Sequence, residues 1–151
     1  MKPEETIDFH LRWAWAKTLR LYNAEAARHG TTMSVGYALL NIDREGTPST
    51  KLGPKMGMEP TSLTRLLNTM ENMELIRREK EGNDKRVVLV FLTNKGLKMR
   101  DQTRDKVIHF NRYMQSRIDP EQLKTFFHVM QQINGMLESE DIFTPEQLEK
   151  K

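Results

Sequence analysis

The sequence has no cysteine among its 151 residues. That excludes a disulfide, a thiolate nucleophile, a zinc–thiolate site and redox sensing through a protein thiol. No apolar run approaches the ~20 residues that span a bilayer. The opening Met1-Lys2-Pro3-Glu4-Glu5 is not followed by the apolar core of a signal peptide. The expectation is a cytoplasmic protein with no membrane partner. No glycine-rich phosphate loop occurs, and no Ser/His/Asp set can be assembled. His10, His29, His109 and His128 fall on different predicted helices without an i, i+4 pair, so no metal site is expected. Nothing in the pattern points to an enzyme, and no cofactor is implied.

What is present is a polar, globular composition, 37% hydrophobic and 30% charged, with ten methionines that read as adaptable core filler. The net charge is only +3, but it is unevenly spread. Between Leu75 and Arg100 eight cations meet three acids, while from Asp119 to Lys151 seven acids meet three cations. Such a chain can present a basic face to a polyanion.

Apolar periodicity predicts a helix over 5–29, with Ile7, Leu11, Ala14 and Leu21 on one stripe and Phe9, Trp13 and Ala16 on a second. Two stripes predict burial on more than one side, and Gly30 ends the helix. Ser34 is the expected cap of a second helix carrying Val35, Ala38, Leu39 and Ile42, closed by Gly46. Ser49 caps a short or kinked segment with Leu52 and Met56 inward and an awkward Gly53-Pro54. After the turn Gly57-Met58-Glu59, Pro60 opens a helix to about Met73 with Leu63, Leu66, Leu67 and Met70 inward. Its outer face is Thr61, Ser62, Thr64, Arg65 and Asn68, where an ordinary solvated helix would carry Glu and Lys.

Leu75 to Lys80 and Lys85 to Leu92 predict a hairpin turning at Glu81-Gly82-Asn83-Asp84. Thr93 caps a long helix to about Arg117. Asp119-Pro120-Glu121-Gln122 starts another, with Leu123, Phe126, Phe127, Met130, Ile133 and Leu137 as its stripe, and Thr144-Pro145 starts a short terminal one. The fold class is mainly α with a small β-hairpin wing: a winged helix–turn–helix flanked by long N- and C-terminal helices. Helices with apolar stripes at both ends of a chain need a second copy to cover them.

The polar-faced helix is narrow enough for the major groove of DNA. Thr61, Ser62 and Thr64 reach phosphates or base edges, Arg65 can fork onto guanine, and Asn68 can pair with adenine. Ser49 and Lys80 complete the expected contact set on the α side and on the wing. At the hairpin tip, Asp84 and Arg86 point to one side of an extended chain, so the carboxylate can hold the guanidinium ready for the minor groove. Lys85 faces the other way, toward a phosphate. The apolar stem Val87-Val88-Leu89-Val90-Phe91-Leu92 is explained by one face packing on the core.

Three motifs carry a family resemblance: Glu59-Pro60-Thr61-Ser62-Leu63-Thr64-Arg65-Leu66-Leu67, the D-x-R motif Asp84-Lys85-Arg86, and the L-T-x-x-G run Leu92-Thr93-Asn94-Lys95-Gly96. With their spacing, the segment from Gly46 to Gly96 resembles the multiple-antibiotic-resistance-regulator (MarR) family of winged-helix transcription factors. The resemblance implies one domain over 1–151, with 33–93 binding DNA and 1–30 and 94–151 forming a homodimer. It implies a pseudo-palindromic double-stranded DNA operator, and repression relieved by a small aromatic or anionic ligand. Trp13, Trp15 and Tyr37 are candidate walls of the ligand pocket. Gly53-Pro54 and the weakly capping Glu59 depart from the family's pattern. Two alternatives stay open: an activator or architectural DNA-binding protein without an effector, and a winged-helix protein–protein adaptor.

Overall fold

The structure is a computed structural model, and it describes residues 1–80, 88–139 and 142–144. After a 3-10 turn at Pro3–Glu5, the elements are α1 (Ile7–Ala27), α2 (Met33–Asn41), β1 (Thr47–Pro48), α3 (Ser49–Met56), α4 (Pro60–Asn72), β2 (Ile76–Lys80), β3 (Val88–Leu92), α5 (Asn94–Gln115) and α6 (Pro120–Ser139). The chain divides into two compact units, Met1–Lys106 and Val107–Lys151. No helix among the described residues is long and apolar enough to cross a membrane.

The core lies in the first unit. Val35, Ala38 and Leu39 of α2, Ile42, Leu52 of α3, and Leu63, Leu66, Leu67 and Met70 of α4 pack with Leu75, Ile76 and Val90. The four inward positions expected on α4 are therefore the buried ones. Each fully buried aliphatic side chain contributes about 1.5–3 kcal/mol through removal from water.

Several boundaries move. The cap of α2 is Thr32, whose hydroxyl accepts from the Val35 amide at 3.3 Å, and Ser34 sits inside the helix. The helix stops at Asn41, and Gly46 closes a separate turn with a φ of +95°. That turn leads into β1, a two-residue strand with no periodicity to betray it. Thr47 there is buried, accepting from the Asp43 amide at 2.9 Å. Ser49 is the first residue of α3, with Pro48 before it and no side-chain cap. Pro54 lies within a short eight-residue helix.

The sheet order is β1-β3-β2, antiparallel throughout, with Thr47 opposite Val90 and Arg78 also opposite Val90. Because β3 is the central strand, both of its faces need cover. Val90 points into the core. On the other face, the Phe91 ring lies against Gly46, where a Cβ would collide with it, and under the Arg77 guanidinium, 4.5 Å from the ring centre. The apolar stem is thus explained by two covered faces, not one.

The junction into α5 is tight. Thr93 caps the helix, its Oγ1 accepting from the Gly96 amide at 3.0 Å and donating to the Glu74 carbonyl at 2.7 Å. Gly96 rides against the Leu75 backbone, where any Cβ would overlap the carbonyl oxygen. Both constants of the L-T-x-x-G run therefore have a steric or hydrogen-bonding cause.

α1 departs from its expectation. None of its residues is buried within the chain; Trp13 and Trp15 are 48% and 57% exposed. Periodicity identifies apolar faces but not whose atoms cover them. In the second unit, Asp119 caps α6, its Oδ1 accepting from the Glu121 and Gln122 amides at 3.0 and 3.1 Å. No residue of α6 is buried either, and Phe126, Phe127 and Leu137 are at least half-exposed. The short helix expected after Thr144 lies outside the described residues.

Candidate nucleic-acid interface

The site is built on α4. Pro60 occupies its first position with φ preset for a helix, and Glu59 ahead of it makes no side-chain cap, as a glutamate there would not. Leu63, Leu66, Leu67 and Met70 anchor the helix inward. The 3.6-residue period then turns Thr61, Ser62, Thr64, Arg65 and Asn68 outward, and all five are exposed. No ion-pair partner occupies Arg65 among the described residues. The Thr64 hydroxyl already donates to the Pro60 carbonyl at 2.9 Å, so what it offers outward is its methyl group and lone pairs.

The remaining expected residues are placed unequally. Lys80 is exposed at the last described position of β2, opposite Val88. Ser49 is half-buried and lines a cleft of about 710 Å3 between α3, the start of α4 and the wing strands, together with Pro54, Met58, Thr64, Arg78 and Val88. Asp84, Lys85 and Arg86 lie outside the described residues. Trp13, Trp15 and Tyr37 do not line this cleft; they are exposed side chains on α1 and α2. Among the described residues no group of three or more His, Asp or Glu could hold a metal ion.

One cluster was missed from the sequence. Arg78 of β2 donates from Nε to Glu71 Oε2 at 3.0 Å and from Nη2 to Asn68 Oδ1 at 2.8 Å, while Nη2 also reaches Glu71 Oε2. The wing strand and the exposed helix are thereby tied together. A signal was available: strand alternation puts Arg78 on the same side as buried Ile76, where a cation needs a partner.

The Arg78 hydrogen bonds hold the Glu71 carboxyl below its ordinary value, and partial burial opposes them. A depressed carboxyl stabilises the fold above its unfolded pKa and loses that contribution as pH falls through the folded one. Glu71 is 40% exposed, so solvent screening keeps the contribution under about 1 kcal/mol. Glu71→Gln should therefore cost little near pH 7 and flatten the acid-side decline of stability below pH ~4.5. Urea melts over a pH series check this; identical acid-side slopes for both proteins would remove the pair from the stability balance.

An exposed, polar-faced helix braced against a β-stem defines a winged helix–turn–helix protein. Residues 38–88 match the MarR family model, and that segment places the chain in the MarR family. Solved structures share the fold at low identity. The MepR–DNA complex from S. aureus has a TM-score of 0.81 at 16% identity, over 87% of this chain and 98% of that one. The PcaV transcriptional regulator from Streptomyces coelicolor, with its natural ligand, scores 0.75 at 17% identity, over 89% and 96%. A mutant MarR from E. coli with operator DNA scores 0.73 at 21% identity, over 82% and 89%. A comparison with curated proteins finds no match.

Proposed function

We propose that this chain is a sequence-specific double-stranded DNA-binding transcriptional regulator, a cytoplasmic homodimeric repressor that a small aromatic or anionic ligand releases from its operator. The observation that carries it is the exposed row Thr61, Ser62, Thr64, Arg65 and Asn68 on a helix anchored by four buried apolar residues. Short hydrogen-bonders and one free arginine suit a groove of acceptor-rich base edges and phosphates. The DNA-binding part is 33–93. Residues 1–30 and 94–151 carry the exposed apolar stripes that a second copy would cover, setting two α4 helices about one DNA turn, ~34 Å, apart. Relatives of the fold solved with DNA, with operator DNA and with a natural ligand support this reading. The protein performs no chemistry of its own in it.

The test is enrichment of bound duplexes from random DNA, followed by equilibrium binding over a salt series. Each phosphate contact adds about 0.9 to the log–log slope, whereas a protein–protein adaptor would show none. Release by small aromatic carboxylates separates the repressor from an architectural protein. From the sequence, Arg86→Ala should weaken operator binding by about 1–3 kcal/mol with the thermal midpoint unchanged. Wild-type affinity in that variant would take the wing out of the interface.

A further inference from the structure

We infer that Arg78 is a positioning residue that sets which base α4 reads, by holding the Asn68 amide so that it meets DNA as a donor and favours guanine over adenine. This deepens the DNA-binding reading and rests on it.

The geometry is specific. A guanidinium has donors and no acceptor, so the atom of Asn68 that meets Arg78 Nη2 at 2.8 Å is the carbonyl oxygen. The amide nitrogen, with two hydrogens, is then the free end. Arg78 is itself held from two of its nitrogens by the Glu71 carboxylate, which pre-orients the fork. Asn68 is exposed on the same outward face as Arg65.

That arrangement decides between two readings of an asparagine. Pairing with adenine uses both ends of the amide: the oxygen accepts from N6 while the nitrogen donates to N7. Here the oxygen already carries a bond from a charged donor, which weakens its remaining lone pair as an acceptor. The free hydrogens match guanine, whose major-groove edge presents two acceptors, N7 and O6. Asparagine read alone points to adenine; asparagine clamped by Arg78 points to guanine.

The experiment compares duplexes enriched from random DNA by the full-length wild type, Asn68→Ala and Arg78→Met. Asn68→Ala locates the base pair concerned, as the one position where preference collapses. The wild type should prefer guanine there. Arg78→Met frees the amide oxygen and should move the guanine-to-adenine ratio at that position about tenfold toward adenine, with other positions unchanged. Adenine preferred by the wild type at that position overturns the inference. So does an even loss of affinity in Arg78→Met with every base preference kept, which is what a purely structural role would produce. If Arg78→Met melts early, Arg78→Lys keeps a charge against Glu71 without the fork, and the same shift is expected. A wild type that enriches no sequence at low salt instead defeats the DNA-binding reading itself.

Discussion

Gly96→Ala should lower the unfolding free energy by about 3 kcal/mol or more, seen as a lower urea midpoint with an unchanged m-value. In an open helix the same change would gain about 0.5–1 kcal/mol, because alanine is the better helix former. Here the steric cost decides the sign. A Cβ at residue 96 would overlap the Leu75 carbonyl oxygen. That oxygen cannot retreat cheaply, because it accepts from the Thr93 amide at 3.0 Å. The neighbouring Glu74 carbonyl is held by the Thr93 hydroxyl, and Glu74 itself has a positive φ of 58°. Relief would have to come from moving α5 off the end of β2, beside the fully buried Leu75. A midpoint equal to or above the wild type's would show that the junction is looser than its geometry.

Removing residues 1–30 should leave a folded protein that no longer dimerises. The buried cluster from Val35 to Val90 contains no residue of α1, so the core survives the deletion. The losses inside the chain are small: Asn23 Oδ1 no longer accepts from the Met33 amide, and Glu25 no longer pairs with Lys106. Together these are worth about 1–2 kcal/mol. What disappears is an apolar surface carrying Ile7, Leu11, Trp13, Trp15 and Leu21, all exposed in the single chain. A stable protein–protein interface buries on the order of 1,600 Å2, with aromatic side chains as its anchors. Light scattering should report a monomer, and a cooperative urea melt should show that it is folded. Operator affinity should fall about 100-fold or more, since the second half-site no longer binds as part of the same molecule. A monodisperse dimer of the shortened chain would mean that the C-terminal helices suffice.

The α4 helix was legible because every local signal agreed: Pro60 at its start, Leu63, Leu66, Leu67 and Met70 at helical spacing, and small polar residues between them. The caps at Thr93 and Asp119 were legible for the same reason, since a capping oxygen acts on amides two or three residues away. Ser34 and Ser49 were misread as caps because serine fits equally well inside a first turn, and only backbone geometry separates the two. The strand β1 left no pattern, being two residues long and defined by its partner Val90.

The amino-acid sequence by itself determined the order of the helices, the inward face of α4, the exposed polar row beside it and the winged-helix class, because these depend on interactions between residues close along the chain. The tertiary structure alone decided that β3 is a central strand, that Gly96 must be glycine, and that Asn68 is held by Arg78 and Glu71. Those contacts join residues separated by up to some forty positions, and no local periodicity encodes which distant carbonyl, ring or guanidinium will arrive beside a given side chain.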